Sequence, residues 1–316
     1  MADGYDWMFV DGEFVHADAA RVSIRSHVVS YGTGTFEGLR ATWSEPRHEL
    51  YVLDPLAKFE RFRRSANVLG LPLLLSPVEL VESTVELLRR NDVRADVYIR
   101  PLLFLVGEAL PVRMHDIEAR LAIYVVDLPA AFGGTDCVRA AVSSWRRIPD
   151  ASLPVRAKVI GSYVNPALAK TDAVAAGFDE AIMLTADGSV AEATTANVVL
   201  RRGDEWITPP WTDDILEGTT LQQVMTLIRR ELGERVVQRT VDRSELYVCD
   251  EALLCANAVQ IAPLVEVDRR RIGDGMPGER TLRLRETLAS IAIREHPGYE
   301  HWTTAVHGGA ATANAA

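Results

Sequence analysis

The chain has 316 residues, 48% of them hydrophobic and 25% charged, with a formal net charge of −10. That is enough apolar material for one large domain or two, and the acidic balance argues against a surface built for nucleic acid or anionic lipid. Cys137, Cys249 and Cys255 fit neither a disulfide framework nor a zinc site, so a reduced, cytoplasmic setting is expected.

The opening stretch MADGYDWMFVDGEFV carries early aspartates and no apolar core segment. No signal peptide is expected from it, and no run along the chain approaches the ~18–20 apolar residues of a membrane span. Within it, DWMFVDGEFVH reads as a hairpin turning on Asp11-Gly12, a pair that tolerates the backbone of a two-residue turn. LDPLAKFERFRRSANVLGL starts a helix with Asp54 as N-cap and Pro55 first, and Leu56, Phe59, Phe62 and Ala66 share one face. SPVELVESTVELLRRN repeats that opening with Ser76, Pro77 and a capping box completed by Glu79. DVYIRPLLFLV and RLAIYVVDL read as strands, and the small, glycine-bearing stretch at 128–136 reads as a linker.

In the second half, YVNPALAKTDAVAAGF looks helical, with Pro166 expected to kink or restart it. Strands joined by turns at Asp187-Gly188 and Gly203-Asp204 follow, then an amphipathic helix LEGTTLQQVMTLIRRELG ending at Gly233. Further strands are expected near 235–239, 250–255 and 259–267, then a helix from about Glu279 to Arg294 and a low-complexity tail. Strands interrupted by clustered helices indicate an α+β protein in two parts. The divisions are a small α/β domain at 1–127, an interdomain loop at 128–136, a larger α/β domain at 137–305 and a disordered tail at 306–316.

Several residues could carry chemistry. Lys158, in RAKVIGSYVNPALAK, reads as the end of a strand running into a turn, where a lysine either reaches a carbonyl or merely snorkels to solvent. Lys170, on the helix that follows, reads as a surface charge. The arginines of RFRR, the acid Glu192 and the Gly-Thr-Thr opening of a helix at 218–220 each have an ordinary structural explanation when taken alone. The helix opening could also hold a phosphate on its free N–H groups.

Taken together and in order, SHVVSYGTGTFEGLRA, RFRRSA, YIRPL, AKVIGSYVN, AEATTAN and ILEGTT resemble the fold-type IV pyridoxal-phosphate aminotransferases, and among them the branched-chain amino acid aminotransferases. The resemblance runs over nearly the whole chain and implies the two-domain, D-amino acid aminotransferase-like fold, with pyridoxal 5'-phosphate (PLP) as cofactor. It implies that Lys158 forms the Schiff base and shuttles the proton, that Glu192 pairs with the pyridine nitrogen, and that Tyr163 hydrogen-bonds the phenolic oxygen. Arg61, Gly218, Thr219 and Thr220 would hold the phosphate, Leu216 would pack on the ring, and Asn197 and Asn257 would complete the cofactor site. Tyr31, Phe36, Gly38, Arg40, Tyr98, Arg100 and Arg113, with Asn257 and Ala258 on a backbone turn, would bind substrate. A homodimer whose active site is shared across the interface is implied, because Tyr31 reaches toward the partner subunit.

The chain departs from the family pattern at Ala193, Asn257 and Glu217, and most in VGEALPVRMHD, where a glycine-rich loop is usual. Arg113 and His115 there resemble the carboxylate trap of D-amino acid aminotransferases. The expected reaction is transamination between a branched-chain L-amino acid and a 2-oxo acid such as 2-oxoglutarate. The alternatives are a D-amino acid or (R)-amine aminotransferase, an aminodeoxychorismate lyase, or a biosynthetic variant for an unusual 2-oxo acid. A dinucleotide loop in YGTGTFEG lacks the strand and acid that would support it. The scattered histidines suggest no metal. A non-catalytic binding protein would lack Lys158 or Glu192, and both are present.

Overall fold

The computed structural model describes residues 5–128 and 136–308, in two compact units. Residues through 128 form the first unit together with those from 289 onward, and residues 136–288 form the second. The expected boundary at 305 therefore differs from the contact division, and most of the 128–136 linker lies outside the described residues.

In the first unit, β1 (Trp7–Val10) and β2 (Glu13–His16) pair antiparallel around Asp11 and Gly12, both at positive φ. A short helix α1 (His27–Tyr31) precedes β3 (Gly34–Phe36), β4 (Leu39–Ser44) and β5 (Glu49–Leu53). Two helices follow, α2 (Pro55–Val68) and α3 (Pro77–Arg90), then the long antiparallel pair β6 (Val97–Leu105) and β7 (Ala119–Asp127). The sheet order is β5-β4-β6-β7-β1-β2, with β3 also on β6 and a C-terminal strand, Thr303–Ala305, on β5. Phe59, Phe62 and Ala66 of α2 and Leu80, Leu87 and Leu88 of α3 meet Leu39, Leu50, Val97 and Ile99 in one core. Leu56, expected on the same face, is exposed instead, and Asp54 takes a left-handed backbone without capping α2 through its side chain. Val306 and His307, grouped with the tail on sequence, are packed: Val306 N–H bonds the Leu50 carbonyl, and the His307 ring bonds the Val93 carbonyl. The rest of the expected tail, from 309, lies outside the described residues.

The second unit begins with β8 (Val138–Arg146), α4 (Val164–Ala175) and β9 (Glu180–Leu184), a βαβ crossover whose strands pair in parallel. Strands β10 (Val190–Ala193), β11 (Asn197–Arg202) and β12 (Glu205–Thr208) lead to α5 (Thr219–Leu227). A π-helical turn, Ile228–Leu232, ends at Gly233 in the left-handed conformation. Then come β13 (Arg235–Gln238), β14 (Glu251–Ala256), β15 (Gln260–Val267) and the two-residue β16 (Arg270–Arg271). The sheet order is β10-β9-β8-β15-β14-β11-β12-β13, with β16 on β15. Helix α6 (Glu279–Ala292) carries the chain back to the first unit; its first turn is held by the buried Glu251 carboxylate, which accepts from Thr281 N–H and Oγ1 at 3.0 Å each. Pro166 neither kinks nor restarts α4. It lies in the first turn, where its missing N–H has no intrahelical partner to lose.

Candidate active site

The expected site residues fall into two sets, one in each unit. In the second unit, Lys158 belongs to neither strand nor helix, contrary to the expected strand end. It stands between a turn and the 3₁₀ segment Gly161–Tyr163, which places the Tyr163 ring centroid 5.4 Å from Lys158 Nζ. Ser162 Oγ donates to the Val159 carbonyl at 2.7 Å and ties this short connection to itself.

Glu192 sits on β10, buried, with its carboxylate fully engaged. Arg147 Nη2 lies 2.9 Å from one oxygen, while Asn197 Nδ2 and the Leu216 N–H donate to the other at 3.0 and 3.2 Å. Burial pushes the Glu192 carboxyl above its ordinary range; the Arg147 charge, the Leu216 N–H and the Lys158 charge pull it back. A buried anion so supplied with donors, beside a lysine, is suited to face a cation of a bound ring. Arg147 went unnoticed in the sequence. SSWRRIP offers two adjacent arginines, and only the tertiary structure shows which one turns inward.

Asn197 also donates to the Leu216 carbonyl at 3.1 Å, so one carboxamide joins Glu192 to the approach of α5. Gly218, the next residue but one, has no room for a side chain: a Cβ there would come within 2.0 Å of Asn197 Oδ1. It is also the N-cap of α5, which no side chain caps, and Thr219 and Thr220 are buried in the first turn. Glu217 beside them is met by Arg156 at 3.3 Å, which reduces its conflict with an anion at the helix start. Asn197 pairs across β11 and β14 with Cys255, which puts the Asn257–Ala258 turn at the same end of the sheet. Both polar atoms of the Asn257 carboxamide are buried without a partner.

These features meet the needs of a phosphorylated pyridine cofactor. The uncapped helix start with its glycine cradle suits an oxyanion, the orphaned Asn257 amide supplies a donor wanting an acceptor, and Glu192 answers a ring nitrogen.

In the first unit, Arg61 on α2 is buried and held by a residue that sequence reading passed over. Glu37 accepts from Arg61 Nε and Nη2 at 2.8 Å each and from the Gly38 N–H at 2.8 Å. Gly38 leaves room for Tyr98, whose hydroxyl would lie 1.8 Å from a Cβ at that position and would have to move. The Arg100 guanidinium lies over the Phe36 and Tyr98 rings, 4.4 and 5.1 Å from their centroids, with its Nε buried and without an acceptor. Phe36, Gly38, Tyr98 and Arg100 thus form one cluster. Arg40 stands opposite Tyr98 in the sheet, but its guanidinium bonds Asp96 at 3.0 Å and Thr42 at 3.3 Å. Tyr31 donates to the Leu110 carbonyl at 2.7 Å, and Arg113, half-exposed, lies against His115 and Asp116. Among the described residues no metal-binding cluster is found, and no helix is long and apolar enough to cross a membrane.

The family described as Amino-transferase class IV matches residues 34–267. The chain belongs to this family, and it is an aminotransferase of the fold-type IV, α+β architecture. It is 40% identical over 302 residues to the probable branched-chain-amino-acid aminotransferase of Aquifex aeolicus, covering 96% of this chain and 97% of that one. The branched-chain aminotransferase of Thermoproteus uzoniensis, solved with norvaline, superposes with a TM-score of 0.90 at 35% identity, covering 95% of this chain and 99% of that one. The PLP form of the Thermobaculum terrenum branched-chain enzyme gives a TM-score of 0.91 at 32% identity, covering 96% and 99%.

Proposed function

We propose that this protein transfers amino groups between branched-chain L-amino acids and 2-oxo acids such as 2-oxoglutarate, with PLP as its cofactor. The observation that carries the reading is the buried Glu192 carboxylate, set by Arg147, Asn197 and the Leu216 N–H, with the Lys158 charge acting on it. When bound, PLP supplies the sink for the electrons left as a substrate Cα loses its proton. Lys158 would carry the cofactor and then move that proton through its Nζ, a task an amine can perform as nucleophile and then as base. Glu192 would hold the ring nitrogen, its carboxylate made more basic by burial, and Tyr163 the phenolic oxygen. Gly218, Thr219, Thr220 and Asn257 of the second unit would hold the phosphate; Arg61, given the same task by the resemblance, lies in the first unit, where Glu37 holds it.

For substrate, the apolar faces of Phe36 and Tyr98 suit a branched aliphatic side chain. The unpartnered Arg100 Nε suits the second carboxylate of a dicarboxylic 2-oxo acid. The relatives named above are branched-chain enzymes, and the D-amino acid alternative, resting on a half-exposed Arg113 engaged by its own loop, is not favoured. A homodimer is part of the proposal. Ile24, Val29, Leu110 and Val112 are 85, 60, 84 and 69% exposed, and they occupy two segments that are hydrogen-bonded to each other through Tyr31 and the Leu110 carbonyl. A reducing cytoplasm suits the free cysteines, of which Cys249 has its thiol pushed up to about 12 by burial.

A half-reaction screen tests the function. L-Leu, L-Ile, L-Val, L-Glu, D-Ala, D-Glu and (R)-1-phenylethylamine are each added to cofactor-loaded protein, and the visible absorbance of the bound cofactor is followed. Loss of the band with the L-amino acids is expected; a response to the D-acids alone overturns the branched-chain reading. Lys158→Ala is expected to abolish turnover. Glu192→Gln should keep the cofactor but slow the half-reaction by about 100-fold or more, and a near-normal rate refutes the role given to Glu192.

A further inference from the structure

The loop at 106–116, where the chain departs most from its family, is fastened through Gly107, Glu108, Leu110 and Pro111 to the segment 23–31. Its neck is closed where the Val106 and Gly107 N–H groups share the Glu118 carbonyl, at 2.8 and 3.3 Å. Gly107 fits there because a Cβ would meet Ile117 Cγ2 at 2.7 Å. Beyond the neck, Glu108 accepts from Ser23 Oγ at 2.7 Å and pairs with Arg25 at 2.6 Å. The Gly107 carbonyl accepts from the His27 N–H at 3.1 Å, the Leu110 carbonyl from the Tyr31 hydroxyl at 2.7 Å, and the Pro111 carbonyl from His27 Nε2 at 3.1 Å.

His27 is the centre of this arrangement. It is wholly buried although it stands at the first position of a five-residue helix. A carbonyl oxygen only accepts, so the contact to Pro111 requires the proton on Nε2. In the neutral ring, Nδ1 then accepts from the Thr33 hydroxyl, 2.7 Å away. Tyr31 packs against the imidazole with ring centroids 4.6 Å apart and planes tilted by 56°, and its hydroxyl reaches the Leu110 carbonyl. One side chain thus orders the residue that holds Leu110 and itself holds Pro111, two residues before Arg113. Loops are ordinarily free to sample many conformations; this one has three of its carbonyls, those of Gly107, Leu110 and Pro111, held by His27 and Tyr31.

We propose that His27, with Tyr31, is a positioning residue that sets substrate selection by holding the 106–116 loop in one conformation. The inference rests on the function proposed above and adds to it that this loop, which follows the Tyr98- and Arg100-bearing strand β6, borders the substrate. His27 touches neither substrate nor cofactor in this role; it acts through the carbonyls of Gly107, Leu110 and Pro111.

The test compares wild type with His27→Leu, His27→Gln and Tyr31→Phe, all cofactor-loaded, by amide hydrogen exchange across residues 107–113 and by steady-state kinetics with L-leucine and L-glutamate. His27→Leu loses both imidazole bonds and should speed exchange there at least tenfold. It should also raise KM for the amino acids at least fivefold and change the leucine-to-glutamate preference, with kcat within threefold of wild type. His27→Gln, which can still donate to Pro111, should recover most of both. Tyr31→Phe keeps the ring and loses only the bond to Leu110, so it should speed exchange at residues 109–112 and stand in if His27→Leu folds poorly. Unchanged exchange in both His27→Leu and Tyr31→Phe overturns the anchoring. Faster exchange with unchanged KM and preference overturns the role in selection. If wild type turns over no amino acid, the failure lies with the proposed function, and the exchange comparison still decides whether His27 holds the loop.

Discussion

Lys158 and Lys170 show how much a residue's meaning depends on what faces it. Both lie in RAKVIGSYVNPALAK, and local sequence left Lys158 open between chemistry and snorkelling. The ordered family motifs singled it out, and the structure brings its charge to bear on Glu192. Lys170, read as a surface charge, is not one. Its Nζ pairs at 2.9 Å with the fully buried Glu180, which accepts from Thr194 Oγ1 at 2.5 Å and so steadies the turn that follows Glu192. Glu37, Arg147 and His27 were passed over because a buried ion pair or a buried imidazole has no local signature; its partner is tens of residues away. Lys58 is a further case, wholly buried with Nζ donating to the Leu53 carbonyl at 2.8 Å. Burial, aided by Arg61 and opposed by Asp54 and Glu37, lowers its pKa from 10.5 to about 8. The unfolded chain therefore holds this proton up to about 10.5 while the folded protein releases it near 8, and folding gains stability as pH rises between the two. Any stability advantage of Lys58→Met over wild type should shrink by about 3 kcal/mol between pH 7.5 and 10.5, read from denaturation midpoints of both proteins. A difference that stays constant with pH would show that Lys58 titrates normally.

Elements were legible where a local rule acts without competition. The Asp11-Gly12 hairpin formed because both turn residues accept positive φ. Helix α3 begins with the full capping box: Ser76 N–H donates to Glu79 at 2.7 Å, and Glu79 N–H donates to Ser76 Oγ at 3.3 Å. Ser76→Ala should cost about 1 kcal/mol and lower Tm by a few degrees with transamination unchanged; no change in Tm would mean that the end of α3 contributes nothing. Rules failed where position within the element decided. Pro166 is harmless in a first turn, and Leu56, on the expected apolar face, is exposed while Pro55 before it and Lys58 after it are buried. The strand expected at Lys158 did not form because the segment's partners are turns and side chains, among them Arg156 against Glu217 and the Trp211 carbonyl.

For the whole molecule, the exposed apolar residues Ile24 and Val29 make assembly testable. Sedimentation should find a homodimer at micromolar concentration, and Ile24→Glu with Val29→Glu should weaken it at least tenfold, since a charge buried without a partner is costly. A wild-type monomer that transaminates normally would remove the dimer from the proposal. By itself the sequence determined the α+β class, most strand and helix positions, and the family with its cofactor, because periodicity, caps and ordered motifs are written locally. Only the tertiary structure decided which strands are neighbours, as in β8 lying between β9 and β15. It alone decided which arginine serves Glu192, which acid holds Arg61, and that His27 lies beneath the 106–116 loop. Those choices depend on distances between residues far apart in the chain, and closing those distances is the work of the packed sheet rather than of any local propensity.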